Sequence, residues 1–308
     1  AVVNNESIVI RNLAKKYNSS SVINDLSLTV RAKEMFIIVG PDGAGKSTLL
    51  RILSGILRFD TGNVEILNHS LPQGAEEVKL RLGYMPQKFG LYEDLTVEEN
   101  LKFFYDLYCL PKKEKHRAFQ RMYAFSGLEK FKRRLAGQLS GGMKQKLGLS
   151  CVLLHKPSLL LLDEPTNGVD PYSRRAFWNI LNHFKKQGIT IVVATPFMDE
   201  AERGDRVLLM MEGRELACGT PAEIKNLWDA NLYQIYSDNS RRAKSLLDSS
   251  GLVRASVLFG NKLHFVPRSE KALDEIERIL RRENLLSGNL EQTEPELEDL
   301  FINLVKNE

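Results

Sequence analysis

The stretch Gly40-Pro41-Asp42-Gly43-Ala44-Gly45-Lys46-Ser47-Thr48 decides the fold, because it fits G-x-x-x-x-G-K-[S/T] in a telling context. The run before it, Met35-Phe36-Ile37-Ile38-Val39, is short, apolar and β-prone, as a buried strand should be. The run after it, Ser47 to Leu53, sets leucines and an isoleucine at helical spacing. Strand, glycine loop and helix in that order describe a phosphate-binding loop. Glycines let the backbone curl until successive N–H groups face phosphate oxygens, and the helix N-terminus adds partial positive charge. Lys46 is expected to reach the β- and γ-phosphates, and the Ser47 hydroxyl to ligate Mg²⁺. A plain glycine turn needs no Lys-Ser pair, so the chain is expected to bind a nucleoside triphosphate.

Working outward, Leu159-Leu160-Leu161-Leu162-Asp163-Glu164-Pro165 is continuously apolar until it meets two acids, which suits a central parallel strand. It would deliver Asp163 to the phosphate-loop side of the sheet to hold Mg²⁺, and Glu164 to orient and polarise the attacking water. Leu139-Ser140-Gly141-Gly142-Met143-Lys144-Gln145 opens a further helix and is a second anion-binding pattern. One nucleotide seldom needs two cradles from one domain. Ser140, Gly141, Gly142 and Gln145 are therefore expected to face a nucleotide held by another domain. Thr96 with Glu99 forms a capping box at the head of a helical region running to about Leu154. Further buried strands are expected at Ile189–Ala194 and Arg206–Met211, with a helix over Arg174–Gln187 between the sheet strands. Strands alternating with helices predict an α/β sheet covered on both faces.

The phosphate loop, Gln87, L-S-G-G-M-K-Q, L-L-L-L-D-E-P and Asn167-Gly168-Val169-Asp170 together resemble the ATP-binding-cassette ATPases in order and spacing. The resemblance covers roughly residues 7–225, with a helical lobe at about 88–154. It implies a P-loop ATPase in which two cassettes close head-to-tail around two ATP molecules with Mg²⁺. By that resemblance Tyr17 stacks on adenine with Val22 beside it, Gln87 contacts Mg²⁺ and the attacking water, and Asp170 crosses the dimer interface. It also implies transmembrane permease subunits as partners, meeting the surface around Gln87, and a place on the cytoplasmic face of the membrane. The segments Met198-Asp199-Glu200-Ala201-Glu202 and Leu297-Glu298-Asp299-Leu300-Phe301 look like the drug, polysaccharide and antibiotic exporters. Gly168–Pro171 with Ser173-Arg174-Arg175 and Trp178 resembles efflux ATPases that carry two cassettes, of which this would be one half.

One departure bears on rate. Where the family places a histidine that contacts the γ-phosphate, this chain reads Ala194-Thr195-Pro196-Phe197. Proline has no side-chain donor and no N–H, and the loss of such a contact costs about 10²–10³ in rate. A slow site is expected, with the Thr195 hydroxyl or a water as a partial substitute. The rivals are a soluble cassette ATPase of translation or repair and a non-catalytic nucleotide-dependent interaction module. Against the first, no coiled-coil arm lies between Gln87 and Leu139; against the second, Lys46, Asp163 and Glu164 are all retained.

Composition agrees with a globular protein: 308 residues, 43% hydrophobic, 27% charged and a net charge of +4. Its basic pairs are scattered, which predicts a solvated surface rather than a nucleic-acid interface. Cys109, Cys151 and Cys218 lack metal or disulfide spacing. No apolar run approaches the ~18 residues of a membrane span. The start, Ala1-Val2-Val3-Asn4-Asn5-Glu6, has neither the basic head nor the apolar core of a secretory signal, and without an initiator methionine it suits an excised piece of a longer chain. Residues 230–308 read as strand, helix, strand, strand, helix, strand, the last near Leu285–Leu290, followed by an amphipathic helix over Glu294–Lys306. That order predicts a small ferredoxin-like domain, with packing or dimer regulation as its role.

Overall fold

The computed structural model describes residues 5–307, with side chains described through 305, so most of the N-terminal stretch considered for targeting lies outside the described residues. The chain divides into two compact units between Cys218 and Gly219.

The first unit is built on a six-stranded sheet in the order Arg214–Gly219, Arg206–Met211, Met35–Val39, Thr190–Thr195, Leu159–Asp163, Leu82–Met85. Met35–Val39 runs parallel to both its neighbours, and Leu159–Asp163 does too. Each of these strands is buried along its whole length, and period-2 alternation divides their side chains between two cores. Leu159, Leu161, Phe36 and Ile38 face the helix Lys46–Leu53 and a second, antiparallel sheet made from Ser20–Arg31, Glu6–Tyr17, Thr61–Ile66 and His69–Leu71. Leu160, Leu162, Met35 and Ile37 face the helices Val97–Leu107, Lys115–Ser126, Gly141–Leu153 and Pro171–Lys186. Helices on one face and a sheet plus a helix on the other confirm the α/β expectation. The capping box forms as expected: Thr96 Oγ1 accepts from Glu99 N–H, and the Glu99 carboxylate accepts from Thr96 N–H at 2.8 Å. Within the expected helical region, Lys112–Glu114 forms one 3₁₀ turn ahead of the helix Lys115–Ser126. The strands His69–Leu71 and Arg214–Gly219 were not anticipated; the first is three residues long and the second opens on two charged residues and ends on glycine.

The second unit contains strands Leu232–Tyr236, Val253–Phe259, Lys262–Pro267 and Glu291–Thr293, with helices Ser240–Ser250 and Glu270–Arg282 between them. Numbering these four strands in chain order, the sheet order is 2-3-1-4 and every pairing is antiparallel, the arrangement of a split βαβ fold. The last strand is a correction. Leu285–Leu290 does not pair; Gly288, at φ 101°, breaks the run, and Leu285, Leu286 and Leu290 join the core from an irregular segment. Only Glu291–Thr293 has the register to meet Leu232–Gln234. In the terminal helix Leu297–Asn307, the buried Asp299 Oδ2 accepts from His264 Nδ1 at 2.9 Å and from Glu296 N–H at 2.9 Å.

Replacing Asp299 by alanine strips both bonds and leaves the His264 ring buried without its acceptor. The expected result is a loss of about 1–3 kcal/mol in the stability of this unit, seen as faster hydrogen exchange across Leu297–Asn307.

Candidate functional site

Four parallel strands bring their carboxyl ends to one edge of the sheet, the place where open α/β sheets hold ligands. Register fixes what meets there: Val39 lies opposite Thr195, Asp163 opposite Ala194, and Met85 opposite Leu162. The residue or loop after each strand end is thus Gly40, Pro196, Glu164 and, two residues past Met85, Gln87.

The loop from Gly40 to Gly45 has the shape its glycines permit. A Cβ on Gly40 would lie 2.1 Å from the Met210 carbonyl oxygen, so a backbone already fills that space. Gly45, at φ 102°, is the N-cap of helix Lys46–Leu53. Lys46 is 4% exposed and folds back over the loop, its Nζ donating to Gly40 O at 2.7 Å and Pro41 O at 2.9 Å. Burial pulls its ammonium below the usual lysine range, and the Glu164, Asp42 and Asp163 carboxylates resist that shift. Ala44 is buried beneath the loop, and Thr48, also buried, lies on the first turn of the helix.

Ser47 and Asp163 meet, Ser47 Oγ donating to Asp163 Oδ1 at 2.9 Å. Burial pushes the Asp163 carboxyl above the ordinary carboxylate range; the Ser47 bond opposes this, Glu164 adds to it, and Arg51 and Lys46 pull it back. Glu164 is held differently. Its φ is +49°, a left-handed conformation uncommon outside glycine, and its N–H donates to Ala194 O at 2.8 Å. Its Oε2 accepts from Gln87 Nε2 at 2.7 Å and Asn167 Nδ2 at 3.0 Å. Lys46, Ser47, Asp163, Glu164 and Gln87 therefore form one cluster, and Asn167 belongs to it as well. In the sequence Asn167 stands only as part of a motif, with no contact assigned; its bond to Glu164 depends on the turn that follows Pro165.

A hydroxyl and one carboxylate, side by side, with few other acids, fit Mg²⁺, which prefers one or two carboxylates completed by water and substrate phosphates. Among the described residues no group of three or more His, Cys, Asp or Glu side chains is arranged to hold a metal unaided.

The remaining expected residues come from other elements. Tyr17 ends its strand 42% exposed, with Lys15 Nζ 5.5 Å from the ring centre. The Val22 carbonyl abuts Gly45, 2.7 Å from where a Cβ would stand. Ser140 caps helix Gly141–Leu153, its Oγ accepting from Met143 N–H. Gly142 packs against Ser173, and Gly141 approaches Gly168 O. Asp170 caps the next helix, its Oδ1 accepting from Ser173 N–H at 2.9 Å; hydrogen bonds from the Ser173 side chain and then its N–H hold the carboxyl below the usual range. None of the hydrogen bonds of Ser140, Gly142 or Gln145 among the described residues joins them to the phosphate loop. The Thr195 hydroxyl, expected with a water as a partial substitute for the missing histidine, is engaged elsewhere. Thr195 does not turn its hydroxyl toward Glu164: Oγ1 donates to Glu200 Oε2 at 2.6 Å and accepts from Phe197 N–H.

Residues 23–167 match the family model described as ABC transporter. The chain is 37% identical over 307 residues to a probable multidrug ABC transporter ATP-binding protein, YbhF, of Escherichia coli, covering 98% of this chain and 53% of that one. It thus spans about half the length of that relative. It is 34% identical to the Nod factor export ATP-binding protein I of Sinorhizobium fredii, over 98% of this chain and 86% of the relative. Among solved structures, an ATP-binding subunit of an ABC transporter superposes with a TM-score of 0.65 at 31% identity, covering 71% of this chain and 92% of that one. The cbiO1 protein of Clostridium perfringens, described as part of the transporter complex cbiONQ, superposes at 0.67 with 27% identity, over 71% and 90% of the two chains.

Gly40→Ala forces a methyl group onto the Met210 carbonyl. Unfolding in urea should show a loss of about 1–3 kcal/mol, the usual range for overpacking a filled site.

Proposed function

The chain belongs to the ABC transporter family, and from that membership we propose that it is the ATP-binding and hydrolysing part of a membrane exporter of the multidrug-efflux kind. The observation that carries the proposal is the single cluster at the sheet edge, where Ser47 bonds Asp163 and Glu164 is held by Gln87 and Asn167. In this reading Lys46 leaves the Gly40 and Pro41 carbonyls to meet the β- and γ-phosphates, and the loop N–H groups complete the cradle. Tyr17 offers its exposed ring to adenine beside Val22. Ser47 and Asp163 would hold Mg²⁺, with Gln87 beside them, and the ion would neutralise charge on the phosphates. Glu164 orients the attacking water and draws its proton, with Gln87 and Asn167 steering the carboxylate.

Hydrolysis is slow in this proposal. Pro196 supplies no donor, and the Thr195 hydroxyl is already given to Glu200. Ser140, Gly141, Gly142 and Gln145, bonded within their own helix or packed on Gly168 and Ser173, would complete a site on a second cassette, identical or different, across which Asp170 lies. A permease would dock beside Gln87. Support comes from the aromatic run Phe89, Phe104, Phe103 and Tyr92, whose successive ring centres are 5.4, 5.4 and 4.5 Å apart, with Tyr92 47% and Phe103 37% exposed. No helix among the described residues is long and apolar enough to cross a membrane, so attachment to the cytoplasmic face would run through that permease. The second unit is assigned to packing or dimer regulation.

Glu164→Gln should keep nucleotide binding and ATP-induced dimerisation, followed by light scattering, while single-turnover hydrolysis falls by about 10²-fold or more. Hydrolysis at the parent rate would count against Glu164 as the base. Pro196→His should raise the single-turnover rate by roughly tenfold or more; an unchanged rate would refute the slow-site assignment.

A further inference from the structure

Glu200 is fully buried, 0% exposed, and groups from three segments converge on its carboxylate. Oε2 accepts from Thr195 Oγ1 at 2.6 Å. Oε1 accepts from Thr166 Oγ1 at 2.7 Å and Trp178 Nε1 at 3.0 Å, and Arg174 Nε lies 3.6 Å away. Hydrogen bonds to an ionised acceptor are about twice as strong as neutral ones, and here water does not compete.

The placement of those partners matters more than their number. Thr166 lies two residues after Glu164. Thr195 follows Ala194, whose carbonyl receives the Glu164 N–H at 2.8 Å. A closed ring results: Glu164 to Ala194 through the backbone, Ala194 to Thr195 along the chain, Thr195 to Glu200 to Thr166 through side chains, and back to Glu164. Such a ring over-determines the left-handed φ of Glu164, which an isolated glutamate would not keep. Arg174 and Trp178 stand on the helix that Asp170 caps, so that helix is tied to the same carboxylate. Arg174 also stacks on Phe197 at 4.5 Å, and Phe197 N–H donates to Thr195 Oγ1, so the segment bearing Pro196 is fixed from both sides.

We propose that Glu200 is a positioning residue for hydrolysis, holding the Glu164 backbone in its left-handed conformation and linking it to the helix that begins at Asp170. With proline at 196, that position offers Glu164 no donor, and the ring around Glu200 fixes the Glu164 backbone while Gln87 and Asn167 hold its carboxylate. The inference rests on Glu164 being the group that activates water.

The test compares single-turnover rate at saturating ATP, nucleotide Kd and hydrogen exchange over residues 164–168 in the full chain. The variants are Thr195→Val, Thr195→Ser, Glu164→Gln and the double variant Glu164→Gln with Thr195→Val. Thr195→Val should slow hydrolysis by about tenfold or more, the scale of a small misplacement of a reacting group, while Kd stays within about twofold. Thr195→Ser should recover most of the rate, and exchange over 164–168 should quicken in the two variants that carry Thr195→Val and in neither of the others. The double variant should be no slower than Glu164→Gln, since both changes act through one group. A valine variant with parent rate and parent exchange overturns the proposal, as does a loss shared equally by Kd or an additive loss in the double variant. If Thr195→Val fails to fold, Thr166→Val probes the other side of the ring by the same readouts. Parent-rate hydrolysis by Glu164→Gln would sink the assignment of Glu164 itself, an outcome the exchange data separate from failure of the Glu200 tie.

Discussion

A carboxylate at the end of a fully apolar strand is the constraint around which the first unit is arranged. Asp163 is 1% exposed, and an unpaired buried charge is expensive. The Ser47 hydroxyl meets it, and the charges of Lys46 and Arg51 lie close enough to favour its ionised form. Those three residues all come from helix Lys46–Leu53, so satisfying Asp163 draws the helix N-terminus to the strand ends. The phosphate loop, which links that helix to Met35–Val39, is then placed at the same edge. Loop and carboxylate pair are therefore neighbours, and Gln87 joins them through parallel register and its bond to the Glu164 carboxylate.

Most of this arrangement was legible in the sequence because its signals are local. Gly40–Thr48 constrains its own backbone, L-L-L-L-D-E names both a strand and what the strand delivers, and Thr96 with Glu99 marks a helix start. Each motif sits inside a few residues, and parallel register does the rest by bringing strand ends together. The cluster of Lys46, Ser47, Asp163 and Glu164 followed from that logic, and Gln87 from the family resemblance. The ferredoxin-like order of the second unit was also readable, from the alternation of strand and helix lengths.

What sequence could not supply are the contacts between segments far apart in the chain. Whether the Thr195 hydroxyl faces Glu164 or Glu200 depends on where a strand ends and the next turn begins, and nothing in Ala-Thr-Pro-Phe decides it. Glu200 sits in an acidic, ordinary-looking Met198–Glu202, where a solvated glutamate would be the natural expectation; its partners are 5, 22 and 34 residues away in sequence. Leu285–Leu290 misled for the opposite reason: an apolar run signals burial, but burial without register makes no strand.

The fold of Lys46 onto Gly40 and Pro41 carries one more consequence. A loop whose cation is already bonded to its own carbonyls is closed against weak guests. Two of the three ammonium hydrogens are already given to the loop, so a small ion with a single point of contact gains little by drawing Lys46 away. A polyphosphate chain presents oxygens to the ammonium and to several loop N–H groups at once, and only that multiplicity exceeds what it displaces. On the proposed function, a ligand's hold on the loop would then depend on how many contacts it makes at once, and the protein's own lysine would set that threshold.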